Sequence, residues 1–166
     1  VRKISLGEEI EEFGELWALL YLSLAREIVE AFDEEGLEAL RRAVRRYGEL
    51  RGKRLRGRHE EMGLQINVRS LFEHYDLPRH SGMVRRREVL TEDHLISTVL
   101  HCPYREIWRR YGAEHLGLIY CEEFHMAMWR AYRGDIVVEQ PEIMTRGDPH
   151  CRFIVYVQGG GGAEQL

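Results

Sequence analysis

Three cysteines, one histidine and one glutamate carry most of the chemistry this sequence offers. Cys102 stands directly before Pro103 in "HCPYREIWRRYG". Proline is favoured at the first helical position because its missing N–H has no partner there, so Cys102 falls at a helix N-cap. Free N–H groups and the helix dipole favour a thiolate at that point, which makes Cys102 a candidate nucleophile, with an ordinary structural cysteine as the alternative. Cys121 and His125 lie four apart in "LIYCEEFH". On a helix that spacing puts a sulfur and an imidazole on one face, where they can ligate a borderline cation such as zinc. It fits equally well a cysteine packed in the core with a histidine at its edge. His125, His101 or His150 can move protons near neutral pH, and Glu106 or Glu122 can orient a histidine or act as base. The third thiol, Cys151, follows the turn "RGDPH".

Composition limits what these groups can belong to. With 166 residues, 44% hydrophobic and 31% charged, the chain suits one globular domain over 1–158, in which a helical region, residues 1–77, is followed by an α+β region, residues 78–158. The glycine-rich end 159–166 reads as a flexible tail. Three irregularly spaced cysteines do not form a disulfide framework and imply reduced thiols in a cytoplasmic protein. The net charge of −4 argues against nucleic acid as a partner. The run "RRAVRRYGELRGKRLRGR" from Arg41 reads as a solvated helix face, since Tyr47 is the one aromatic residue in it and no stacking platform accompanies it. The apolar run Leu16 to Leu24 is too short for a bilayer, so no membrane partner is expected. No Walker loop or dinucleotide fingerprint is present, so no nucleotide cofactor is indicated, and the zincin and nucleophile-elbow motifs are missing too.

The elements that must position the candidates follow from periodicity. Ile10, Phe13, Leu16, Trp17, Leu20, Leu24 and Ile28 share one face of a helix expected over about 7–32. Asp33 can cap a second helix carrying Leu37, Leu40, Val44 and Tyr47, with Gly48 and Gly52 weakening its end. A short helix is expected around 64–75. After Pro78 the period shortens, and "MVRRREVL" and "HLISTVLH" read as a hairpin. Pro103 opens one helix and a longer one spans about 113–132. "DIVVEQ", a break at Pro141, and a strand from His150 complete the chain. The fold class is therefore α+β: N-terminal helices packed on an antiparallel sheet, with a long helix between the hairpin and the C-terminal strands.

Taken together, "CPYREIWRRYG", "LGLIYCEEFH" and "MTRGDPHCRF" resemble the pattern of the L-2-amino-thiazoline-4-carboxylic acid hydrolase family. There a cysteine opens a helix, a second precedes a histidine by four positions, and a Gly-Asp turn leads to a third. The chain departs from that pattern in having Phe124 where an Asp precedes the histidine. It also has Glu139, Gln140 and Pro141 where Arg and Thr stand, so Arg130, Arg146 or Arg152 would have to hold a substrate carboxylate. The same C-terminal region is similar to vinyl-reductase-type small-molecule-binding domains, which hold zinc. That resemblance implies a metal set of Cys121, Glu139 or Glu142, and Cys151, to which the four-residue spacing from Cys121 adds His125.

The hydrolase resemblance implies opening of a small nitrogen heterocycle, a cyclic amidine, with Cys102, His125 and Glu106 as catalytic groups and zinc or another divalent metal assisting. The alternative is a non-catalytic ligand-binding or sensor domain whose pocket is lined by Trp108, Phe124, Met128 and Trp129. The wide apolar face of the first helix suits a homodimer under either reading.

Overall fold

Both helices expected at the N-terminus are present, joined directly at a kink. In the computed structural model, which describes residues 5–78 and 81–159, α1 runs Leu6–Glu61. Ser5 caps it through a reciprocal box with Glu8: the Ser5 hydroxyl accepts from the Glu8 N–H, and the Ser5 N–H donates to the Glu8 carboxylate at 2.8 Å. Asp33 stands where the two expected helices meet across a kink. It bends α1 with φ 46° and ψ −124°, and no other described non-glycine residue has a positive φ. The two arms lie side by side, with Leu24 and Ile28 of the first facing Leu40 and Val44 of the second across an apolar groove.

Gly48 and Gly52 do not weaken the second arm; they seat it. A side chain at Gly48 would come within 2.8 Å of the Phe124 carbonyl oxygen, and one at Gly52 closer still to that of Met128. Their small size lets α1 approach the backbone of α4, Glu114–Tyr132. Along the first arm Phe13, Leu16, Leu20 and Leu24 are exposed, so the face expected to be apolar is largely open. The third expected helix is shorter than 64–75: α2 is Val68–Glu73, because Asn67 takes the N-cap and accepts from the Ser70 N–H at 2.8 Å.

The hairpin is present as β1, Val84–Leu90, and β2, His94–His101. Helix α3, Pro103–Arg110, begins where expected, with Cys102 at its N-cap. After α4 come β3, Ile136–Glu142, a 3₁₀ turn Met144–Arg146, and β4, Cys151–Val157. Pro141 does not end β3. It sits beside a register shift between Glu139 and Glu142 on an edge strand, where a missing N–H is tolerated. The sheet is antiparallel with order β1-β2-β4-β3. Cys151, Phe153, Val155 and Val157 alternate inwards on β4 and join α1, α2, α3 and α4 in one core. The expected tail falls mostly on residues 160–166, outside the described residues. Among the described residues no helix is long and apolar enough to cross a membrane.

Candidate functional site

The three thiols, nineteen or more residues apart along the chain, line one narrow cavity of about 90 Å3 between α4 and the sheet. Each arrives by a different route. Cys102 is delivered by the turn from β2 into α3, Cys121 by the sheet-facing side of α4, and Cys151 by the first inward position of β4, opposite Val99. They are close enough that charge on either Cys121 or Cys151 would oppose charge on Cys102. His125 stands one turn after Cys121 on the same wall, against the rings of Phe153 and Trp129. Trp108, Phe124 and Trp129 also line the cavity, as expected of a pocket. Met128 instead is fully buried beside it, its sulfur accepting from the Tyr75 hydroxyl at 3.2 Å.

Burial sets the protonation of these groups. Desolvation pushes the Cys102 thiol up to about 11, while the N–H groups of Tyr104 and Arg105 at the start of α3 pull it the other way without forming a complete cap hydrogen bond. Cys121 and Cys151 are raised for the same first reason. The Cys151 sulfur also accepts from the Met144 N–H at 3.3 Å. All three are thiols at neutral pH. Desolvation lowers His125 to about 4, so it is a neutral imidazole. Its Nδ1 lies 3.1 Å from the Cys121 carbonyl oxygen, which can only accept, so Nδ1 carries the proton and Nε2 is left as the open acceptor.

Several expected residues are placed elsewhere. Glu106 is on the outer side of α3, paired with Arg105 at 3.0 Å and Arg109 at 3.3 Å, and does not line the cavity. Glu122 pairs with Arg41 and Arg146, and His150 with Glu142 at 2.8 Å. Glu139 is exposed and accepts from the Tyr156 hydroxyl at 2.8 Å. Glu139 and Glu142 therefore do not converge with Cys121, His125 and Cys151. Among the described residues no group of three or more His, Cys, Asp or Glu side chains is arranged to hold a metal ion. The residues present do not fit the zinc centre that the second resemblance implies. Nor do the arginines named from the sequence reach the cavity: Arg130 is exposed, Arg146 pairs with Glu122, and Arg152 is shared between Thr98 and Glu88.

Other arginines do reach it. Arg51, Arg85 and Arg87 all line the cavity, and among the described residues no carboxylate does. Arg51 is held bidentate by Asp76 at 2.7 and 2.8 Å, with its guanidinium carbon 5.1 Å from the Phe124 ring centre. Arg87 donates to the Phe72 carbonyl at 2.6 Å. The sequence carries only half of the signal for Arg85 and Arg87. In "VRRREVL" they hold alternate positions, and pairing with Val99 and Ser97 fixes that alternation on the inner face.

A helical hairpin and a long helix laid on a four-stranded antiparallel sheet over an internal cavity define an α+β fold. One solved structure shares it: trafficking protein particle complex subunit 3 from Naegleria fowleri, described as covalently bound to palmitic acid. It is 15% identical, with a TM-score of 0.51 over 87% of this chain and 95% of that one. No sequence match to a curated protein accompanies it. The family itself is set by sequence: residues 14–155 match the model of L-2-amino-thiazoline-4-carboxylic acid hydrolase, and the chain belongs to that family.

Proposed function

We propose that this chain is a hydrolase of a small cyclic amidine, with Cys102 as nucleophile and His125 as proton carrier. The observation that carries this reading is the gathering of three thiols and a neutral imidazole on one small cavity in a member of a hydrolase family. A volume of about 90 Å3 suits one small ring.

A thiol with a pKa near 11 attacks slowly unless its proton has somewhere to go. The basic nitrogen of a bound amidine offers that acceptor, directly or through Nε2 of His125. Sulfur then adds to the amidine carbon. The ring bond from that carbon to its leaving heteroatom breaks as the heteroatom takes a proton. Water adds to the same carbon and expels the Cys102 sulfur, which recovers its proton, so one water is consumed per ring opened. No step needs Glu106. The test is turnover of a panel of cyclic amidines, led by the aminothiazoline carboxylate. Cys102→Ser should lower kcat/KM by about 100-fold or more, and undiminished turnover in that variant would end the reading.

A second reading has its own support: the cavity holds a ligand without turning it over. Thiols kept protonated and a histidine kept weakly basic are poor catalysts at rest, and the structure that shares this fold carries palmitic acid covalently. Intact-mass measurement separates the two. A stable acyl adduct that disappears in Cys102→Ser favours holding; an unmodified protein that opens cyclic amidines favours hydrolysis.

A further inference from the structure

Arg85 is a cation without an anion. It projects from β1 onto the cavity wall, half-buried, and among the described residues no carboxylate, carbonyl or hydroxyl pairs with it. It lies against the Tyr75 ring, with the guanidinium carbon 5.9 Å from the ring centre, and Arg87 and Cys102 are near enough to act on its charge. Desolvation lowers its pKa, the mark of a charge whose hydration has been taken away. A guanidinium left in this state costs stability in the empty protein, and a ligand anion would remove that cost. The other cavity arginines are already engaged, by Asp76 and by the Phe72 carbonyl.

A second unsatisfied group faces the same space. Gln140 lines the cavity, and its buried Nε2 has no partner. Arg85 is on β1 and Gln140 on β3, the two edges of the four-stranded sheet. Three strand spacings put their backbones about 14 Å apart. Between them the inward residues are apolar or weakly polar: Val99 and Ser97 of β2, Cys151 and Phe153 of β4. The sheet side of the cavity thus has a cationic end, a mainly apolar middle that carries Cys151, and an amide at the far end.

We propose that Arg85 is the anion anchor of this cavity, taking the carboxylate of a ligand whose flat apolar body lies across β2 and β4 towards Gln140. One free planar guanidinium beside an aromatic ring matches the two oxygens of a carboxylate. Arg85 is not the partner of a Cys102 thiolate, because that thiol stays protonated with Arg85 in place. The anchor stands on the cavity being the ligand site, as proposed above, but not on ring opening.

The experiment is calorimetric titration of wild type, Arg85→Gln and Arg85→Lys with thiophene-2-carboxylate and thiophene-2-carboxamide. The two probes share a shape, differ in charge, and cannot be opened as amidines. Wild type should prefer the carboxylate. Arg85→Gln should lose about tenfold or more of carboxylate affinity and keep carboxamide affinity within about twofold, with Arg85→Lys between. Without ligand, Arg85→Gln should melt no lower than wild type, since it removes an uncompensated charge. The proposal is overturned if wild type shows no preference for the carboxylate, if Arg85→Gln loses both probes equally, or if that variant melts well below wild type. A surviving carboxylate preference beside failed amidine turnover would sink the hydrolase reading and leave the anchor standing.

Discussion

At Cys102 the fold sets two tendencies against each other. The N-cap position turns backbone N–H groups towards the sulfur, while the cavity removes water from it, and desolvation wins. Alkylation of Cys102 by iodoacetamide should therefore climb through pH 9 and level off only near the thiol's pKa of about 11, well above the range of an ordinary cysteine. A plateau below pH 8 would show an activated thiolate instead. His125 makes a different prediction. Its native pKa is lowered from 6.5 to about 4 by burial, and that of His59, buried against Tyr132 and the His74 carbonyl, is also lowered. Above pH 6.5 both are neutral folded or unfolded, so their full contribution is present. As pH falls from 6.5 towards 4 the unfolded chain takes up protons that the native state refuses, and each histidine withdraws at most about 1.4 kcal/mol per pH unit. Urea melts across that window should show the loss, and His125→Gln should flatten it. Cys102, Cys121 and His125 are legible in the sequence because helix position and spacing survive without tertiary knowledge. Glu139 and Glu142 mislead because acidity alone carries no strand register, and the register puts them outside the cavity.

Among the elements, α1 shows what a periodic pattern reveals and what it hides. The apolar periodicity of its first arm and the break at Asp33 are both visible, yet a cap and a bend share the same residue preferences. Only the positive φ decides between them. That value favours glycine, so Asp33→Gly should hold or raise stability by up to about 1 kcal/mol, whereas Asp33→Val should lower it by about 1–3 kcal/mol in thermal melts. Gly52 runs the other way. Helix propensity alone says alanine is better there, but a methyl group would strike the Met128 backbone, so Gly52→Ala should cost about 1–3 kcal/mol. An unchanged melt would mean that α1 can draw back from α4 freely. Pro141 reads as an end because it cannot donate to a ladder, and the edge position of β3, invisible in sequence, is what allows the strand to continue.

Over the whole molecule, the α+β class and the meeting of distant sulfurs are readable because strand and helix periods alternate cleanly after Pro78 and three motifs point at one place. The arginine lining is not, since a surface run and a cavity wall use the same residue and only β1 pairing tells them apart. The walls that hold the thiols protonated also govern their durability. Peroxides and disulfides are attacked by thiolates, which this cavity suppresses, so its sulfur should outlast surface cysteines in an oxidising challenge. Ellman's reagent should titrate far fewer than the three cysteines before denaturation and all three after it, even following peroxide treatment. The protein would then keep its chemistry in reserve through stress that silences unshielded thiol enzymes.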